Sequence, residues 1–326
     1  MKGSYPIKVF NRRVQYKFTI NRNLTILRGD SATGKTTLID MIAAHQSSGE
    51  SSGVTVRCAR PCVVLTAMNW QLNLAQIQDS IVFIDEGDPF VATHEFAAAA
   101  RASSNYYVIA TRTSLFSLPY SITEVYGIKN NAGNRYQGTK RLYSSFYPLY
   151  APATDLPTRP DTVIVEDSNA GFTFFSAVCK RYGMECISAN GKARVYQAIL
   201  DCSPEKEILV IADGAAFGPE MERVLSLSHV RPLSIYLPES FEWLILQSGA
   251  IHSQKVPAIL ADPAQYVESS QYFSWERFFT DLLVTESRQM PYLHYQKSAL
   301  DPGYLQNSVM DAILQRVNAD THSFET

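Results

Sequence analysis

The chain has no apolar run approaching the roughly 18 residues that a membrane-spanning helix needs, which excludes a bundle of transmembrane helices. Its start, Met1-Lys2-Gly3-Ser4-Tyr5, lacks the apolar core of a signal peptide, so a cytoplasmic protein with no membrane partner is expected. Cysteine is scarce: Cys58, Cys62, Cys179, Cys186 and Cys202, an odd and scattered five. They offer neither a disulfide framework nor a zinc-finger spacing, because the one close pair, Cys58 and Cys62, has no second pair or histidine cluster to complete it. Free, mostly buried thiols are the expectation. An excess of one charge is missing too. With 29 Lys and Arg against 31 Asp and Glu, a formal net charge of -2 gives no general attraction to nucleic acid, so any such contact has to come from a local patch. Lys8, Arg12, Arg13 and Lys17 form one candidate patch, and Lys129, Arg135, Lys140 and Arg141 another; a solvated face is the plainer reading of either. What remains is a chain of 326 residues, 46% hydrophobic and 18% charged, long enough for two ordinary cores.

The most informative stretch is Gly29-Asp30-Ser31-Ala32-Thr33-Gly34-Lys35-Thr36, which fits G-x-x-x-x-G-K-[ST]. It follows the apolar run Leu24 to Leu27 and leads into Thr37-Leu38-Ile39-Asp40-Met41-Ile42. A phosphate loop needs both flanks, because successive backbone N–H groups and the positive end of a helix hold the anion. Gly29 and Gly34 let the backbone approach phosphates without a Cβ in the way, Lys35 reaches the β- and γ-phosphates, and Thr36 offers its hydroxyl to Mg²⁺. Thr37 supports the turn. The same chemistry requires a carboxylate at the end of a neighbouring buried strand, and Ser80-Ile81-Val82-Phe83-Ile84-Asp85-Glu86 supplies two. On its own such a run is an ordinary strand leaving the core. After a phosphate loop, Asp85 reads as the metal partner and Glu86 as the base that orients attacking water. A third strand, Tyr106 to Ala110, ends in Thr111 and Arg112, either of which could sense a γ-phosphate or simply close the strand. An alanine-rich helix over Val91 to Ala102 joins these two strands as a parallel crossover.

Between Tyr147 and Asp161 the chain carries Pro148, Pro152, Pro157 and Pro160, which reads as a linker over 147–160 between a domain of residues 1–146 and a second of residues 161–326. Asn130 to Asn134 reads as a loop. The second half opens a new alternation: strand Thr162 to Val165, helix Ala170 to Arg181, strand Met184 to Ser188, helix Ala193 to Leu200, strand Ile208 to Ala212, helix from Gly218 through Leu227 and strand Leu233 to Leu237. That pattern predicts an open parallel α/β sheet whose ligand crevice lies at the carboxyl ends of its strands, where Glu166 and Asp213 converge. These two acids read equally as a metal site or as ordinary strand-end acids. Beyond Ser253, Tyr272, Phe273, Trp275, Phe278, Phe279 and Leu282 at spacings of three and four predict one apolar helix face, a core or domain interface rather than a base-stacking surface.

Two resemblances follow from these residues. The antiparallel start (Tyr5 to Val9, Asn11-Arg12-Arg13, Val14 to Ile20), then Ile26-Leu27-Arg28-Gly29-Asp30-Ser31 and Phe83-Ile84-Asp85-Glu86, resembles the head of ABC-type and SMC-like ATPases. It carries no Leu-Ser-Gly-Gly-type stretch, and Arg112 stands where that family has its switch histidine. The second half resembles the Toprim fold on Ile164-Val165-Glu166-Asp167, Ser188-Ala189-Asn190-Gly191-Lys192 and Ala212-Asp213-Gly214-Ala215, with Asp167 in place of glycine and Ala215 in place of the second aspartate. Together they are similar to a reduced OLD-type ATPase-nuclease, such as those directed against phage or mobile DNA. The implied fold is α/β in two domains, a P-loop parallel sheet followed by a Toprim-like parallel sheet with C-terminal helices. The implied ligands are ATP and Mg²⁺, with Mg²⁺ or Mn²⁺ at Glu166 and Asp213 and Glu239 or Glu242 as replacement ligands. A nucleotide, a nucleic acid and a second copy or partner protein are the implied partners. An ATPase controlling the attached half, a metal-dependent nuclease and a nucleotide-gated binding module all remain open.

Overall fold

The computed structural model describes residues 1–29, 33–131, 142–150, 159–321 and 324, and shows an α/β protein that divides into two compact units. The first comprises Met1–Tyr150 together with Asp262–Phe273, and the second comprises Ala151–Ala261 and Ser274–Thr326. Among the described residues no helix is long and apolar enough to cross a membrane.

The first unit is built on strands β1 (Tyr5–Phe10), β2 (Val14–Ile20), β3 (Leu24–Leu27), β4 (Thr55–Arg57), β5 (Cys62–Val64), β6 (Ile81–Ile84), β7 (Tyr106–Ala110), β8 (Val125–Asn131) and β9 (Leu142–Pro148), with helices α1 (Lys35–Ser48), α2 (Trp70–Gln76) and α3 (His94–Ala102). The strand order is β4-β1-β2-β9-β8-β3-β7-β6-β5. The sheet is mixed, where a parallel one was expected. Strands β8, β3, β7, β6 and β5 form a parallel block, while β1 pairs antiparallel with β2 and β4, and β8 with β9. Strand β9 runs parallel to β2 and so joins the antiparallel hairpin to the block from which Gly29 and Gly34 follow β3. Every residue of β3, β6 and β7 is buried, as expected of strands covered on both faces. On one face Leu38, Ile39 and Ile42 of α1 pack with Phe83 and Val108; on the other Trp70, Leu74 and Phe96 pack with Val82, Tyr107 and Ile109.

Several sequence expectations shift. The helix read over Val91 to Ala102 begins at His94, because Pro89–Ala92 forms a tight turn first and the Thr93 hydroxyl caps the helix by accepting from Phe96 N. Strand β9 extends through Pro148, opposite Tyr126, into the stretch read as linker; a proline at the last rung forfeits little of the ladder. Asn130 and Asn131, read as loop, are the end of β8, while 132–134 and Pro152 and Pro157 lie outside the described residues. The segment Asp262–Phe273 also returns to the first unit: Gly3 N donates to Ala264 O at 2.7 Å, Asn23 Nδ2 to Phe273 O at 2.9 Å, and the Phe273 ring joins the core around Trp70 and Phe96. The aromatic stretch is therefore divided. Phe273 serves one unit and Trp275 and Phe279 the other, because helix α9 starts only at Trp275.

The second unit holds strands β10 (Thr162–Val165), β11 (Glu185–Ser188), β12 (Ile208–Ile211) and β13 (Leu233–Tyr236) in the order β11-β10-β12-β13, all parallel. Its helices are α4 (Ala170–Tyr182), α5 (Lys192–Asp201), α6 (Gly218–Ser226), α7 (Phe241–Gln247), α8 (Val256–Ala261), α9 (Trp275–Ser287) and α10 (Asn307–Thr321). Register aligns Val165 with Ile211 and Ile211 with Tyr236, so the residues that follow β10 and β12 emerge at one edge. There the chain passes another backbone closely: Gly214 N donates to Pro238 O at 2.7 Å, and a Cβ on Gly214 would lie 2.6 Å from Leu237 O and 2.9 Å from Pro238 O. Because both obstacles are backbone, Gly214→Ala is expected to destabilise the second unit by about 1–3 kcal/mol, the usual cost of overpacking. Urea unfolding of the purified variant measures it, and a midpoint equal to wild type would show that the strand end yields.

Candidate functional site

Each unit gathers its chemistry at the carboxyl ends of parallel strands. In the first, β7 lies between β3 and β6, with Leu27 opposite Ala110 and Ile84 opposite Ile109. The residues that follow, Gly29 after β3, Thr111 and Arg112 after β7, and Asp85 and Glu86 after β6, therefore leave the sheet side by side. Gly29 has φ 135° and Gly34 φ 97°, both in the region that favours glycine, and Gly34 caps α1. A side chain at Gly34 would also meet Tyr16: its Cβ would lie 2.8 Å from the Tyr16 hydroxyl, which donates to Gly34 O at 2.9 Å. Burial raises the Tyr16 pKa, while a hydrogen bond from Thr37 pulls the other way. Thr37, read as a support for the turn, thus contacts the tyrosine that holds the loop. Asp30, Ser31 and Ala32 lie outside the described residues.

Lys35 is buried, and its ammonium folds back over the loop, donating to Gly29 O at 2.5 Å and to Thr33 Oγ1 at 3.4 Å. It also faces Glu86 Oε2 at 3.6 Å. The Thr36 hydroxyl donates to Asp85 Oδ1 at 3.4 Å, which brings together the two groups read as metal partners. Glu86 is held from the other side by Arg112, whose Nε and Nη2 donate to Oε1 at 3.1 and 2.6 Å. That guanidinium, with Lys35 behind it, lowers the Glu86 pKa against a smaller effect of desolvation. The carboxylate is accordingly ionised across the neutral range. Of the two candidates at the end of β7, only Arg112 reaches these groups. The Thr111 hydroxyl is committed to its own turn, donating to Thr113 O at 2.9 Å and accepting from Thr113 N at 3.1 Å.

In the second unit Glu166 and Asp213 do converge. Glu166 Oε2 accepts from Asp213 N at 3.0 Å, and Asp213 Oδ1 accepts from Phe241 N, in the first turn of α7, at 3.1 Å. Desolvation, then the neighbouring Glu276, Glu166 and Glu242, push the Asp213 pKa well up, with Lys297 opposing. Desolvation likewise raises Glu166 to about 7, opposed by the Asp213 backbone N–H, Lys192 and Lys297 and assisted by Glu276. Asp167, which stands where the resemblance expects glycine, accepts from Ser168 N, Asn169 N and Gly171 N at 2.8, 3.0 and 2.8 Å and so closes the start of α4. Ala215 is buried.

Of the replacement ligands read from the sequence, Glu242 has its carboxylate otherwise engaged. Glu242 is 1% exposed; its Oε1 accepts from the Tyr295 hydroxyl at 2.8 Å and faces Lys297 Nζ at 3.8 Å. The Glu239 backbone carbonyl accepts from Ala215 N at 3.2 Å. Lys297 Nζ donates to Glu276 Oε1 at 2.5 Å, and Lys192 Nζ to Ala216 O at 3.0 Å. Among the described residues no group of three or more Asp, Glu, His or Cys side chains is arranged to hold a metal ion. Glu276, Tyr295 and Lys297 escaped the sequence reading altogether, since they sit far along the chain in or beyond α9 and carry no spacing that ties them to β10 or β12.

Because Glu166 holds a proton in the folded chain up to about pH 7 that an ordinary glutamate releases near 4.5, this carboxyl stabilises the fold fully below that window and less as pH rises through it. The groups facing it are Asp213, Glu276, Lys192 and Lys297. Glu166→Gln keeps an oxygen for Asp213 N and removes the titration. It should therefore gain on wild type by about 1–3 kcal/mol between pH 5 and pH 8, read from paired urea curves. An identical pH dependence in the two chains would exclude the effect.

Comparison of the chain with protein-family models and with curated proteins returns no match.

Proposed function

We propose that the chain is an ATP-binding P-loop NTPase that hydrolyses ATP with Mg²⁺ in its first unit and uses that turnover to control a Toprim-like second unit. One observation carries the reading: Lys35, Thr36, Asp85, Glu86 and Arg112 meet at the carboxyl ends of adjacent parallel strands around two glycines in left-handed conformation. A glycine turn that only capped a core helix would need none of these side chains. The Thr36 hydroxyl and Asp85 carboxylate, 3.4 Å apart, are hard oxygen donors of the type Mg²⁺ takes, so the residues fit the ion. When bound, it supplies positive charge against the β- and γ-phosphates.

The chain's own residues supply the rest. The loop backbone and the start of α1 bind the phosphates, and Lys35 moves its ammonium from Gly29 O to them. A γ-phosphate is a stronger anion for Arg112 than Glu86 is, so nucleotide draws the guanidinium away and frees the carboxylate beside the bond to be broken. Glu86 then orients water and accepts its proton. The separation of Glu86 from Arg112 makes hydrolysis depend on nucleotide already seated.

For the second unit, the binding-module reading is favoured over the nuclease reading. Lys297 and Lys192 lie among Glu166, Asp213, Glu242 and Glu276, giving those acids internal counter-charge, and Ala215 brings no ligand. These residues do not fit a Toprim-type metal centre, and no cleavage step follows from them.

Two measurements test the proposal. ATP with Mg²⁺ should raise the melting temperature of the wild-type chain by mass action and leave Lys35→Ala unmoved; equal shifts in both would remove the site. Glu86→Gln should keep ATP binding and lose turnover by roughly 10²-fold, in steady-state phosphate release. Hydrolysis at the wild-type rate in that variant would take Glu86 out of the mechanism.

A further inference from the structure

The two basic clusters that look like alternatives in the sequence contribute to one surface. Register places Arg57 of β4 opposite Lys8 of β1, Lys8 opposite Lys17 of β2, Lys17 opposite Ser145 of β9, and Ser145 opposite Lys129 of β8. Neighbouring strands are about 4.8 Å apart, so this single rung runs roughly 19 Å across five strands and carries four cations. It lies on the sheet face turned away from α1. Ile7, Val9, Tyr16 and Phe18 point into the core with Leu38 and Ile42, whereas Lys17, Arg57 and Lys129 are exposed and Lys8 half-buried. Arg12 and Arg13, both exposed, add charge at the β1–β2 turn.

Two features separate this row from an ordinary solvated face. The first is repulsion that no carboxylate relieves. Like charges directly opposite one another in an antiparallel pair are destabilising, yet Arg57, Lys8 and Lys17 stand in direct register. None of the five strands contains an aspartate or glutamate, and among the described residues none of the four cations has an ion pair. The second is the aromatic flank. On one side of the rung lies Phe10, with Lys8 Nζ 5.0 Å and the Arg57 guanidinium 5.5 Å from its ring centre, and across Gln15 from Phe10, on the same side, Tyr143. On the other side lies Tyr147, 37% exposed, its ring seated on Gly127, where a Cβ would approach it to 2.5 Å.

We propose that this sheet face binds single-stranded nucleic acid, with Arg57, Lys8, Lys17 and Lys129 on the phosphate backbone and Phe10, Tyr143 and Tyr147 against unstacked bases. Charge complementarity selects a polyanion, because the row is uniformly positive on a chain whose net charge is -2. The aromatic rings select a strand whose bases are free to stack, which a duplex does not offer. This surface is separate from the phosphate loop, since its cations belong to β1, β2, β4 and β8 and not to the loop after β3.

The test is fluorescence anisotropy of a labelled 20-nucleotide oligo-dT with the full chain, titrated over a series of salt concentrations. Wild type should bind, with log Kobs falling linearly against log salt. Lys17→Gln combined with Lys129→Gln, both exposed positions, should weaken binding at least about 10-fold and reduce the salt slope by about 1.4, at 0.7 per phosphate released. Phe10→Leu should cost about 5-fold or more for oligo-dT and leave inorganic polyphosphate binding unchanged, because only bases stack. Lys35→Ala should bind oligo-dT as wild type does, which keeps the result independent of the proposed ATPase. Absence of binding at low salt, an unchanged slope in the double variant, or a preference for polyphosphate or for phosphatidylserine vesicles over oligo-dT would overturn the proposal. Thermal melting of each variant confirms that it is folded.

Discussion

The parallel insertion of β7 between β3 and β6 is the constraint on which the first unit depends. It brings the loop after β3, the guanidinium of Arg112 and the acids after β6 to one edge, and it does so through backbone register alone. Three fully buried strands hold that register, because slipping any of them would break ladder bonds in a dry interior. The charges at their tips balance one another: Lys35 and Arg112 stand on either side of Glu86, and Thr36 on Asp85. The edge is therefore fixed in backbone while its side chains are held by a few charged and polar partners.

The second unit repeats the geometry with the opposite electrostatics. Its strand-end acids are crowded and desolvated, so protonation and internal lysines relieve them. Lys297 sits against Glu276 and Glu242 and is raised by both, while burial lowers Lys192 despite the acids facing it. A carboxylate cluster with two cations built in has less attraction left for an external one. The contrast between the units lies in whether the positive charge arrives with the fold or with a ligand.

The parts legible in the sequence are those whose physics is local. Gly29 and Gly34 declare themselves because the turn between β3 and α1 needs positive φ at both, and the runs of β6, β7, β10 and β12 because burial on both faces demands uninterrupted apolar residues. What stayed hidden depends on partners. Strand β9, with Ser144 and Ser145 at its centre, is a strand because β2 and β8 pair with it, and the seven residues of α2 are too few for periodicity to mark. Glu276, in the first turn of α9, and Tyr295 and Lys297, beyond it, meet Asp213 and Glu242 only in the folded chain. The basic rung is the clearest case: its members are ordinary surface residues in sequence, and only cross-strand register shows that they stand in line.

Strand β9 has a mechanical consequence as well. It is the last strand of the first unit, paired with β2 over residues 142–145 on one side and with β8 over residues 143–148 on the other. Tension applied at Tyr150 along the strand loads these hydrogen bonds in shear, all at once, and does not peel them one by one. Strand β8 passes the load to β3 through Val125 opposite Ile26 and Tyr126 opposite Leu27, and Gly29 follows two residues after the strand. The exit of strand β9 is thus tied to the loop after β3 by two rows of hydrogen bonds, a short and stiff route by which force applied at one end reaches the other.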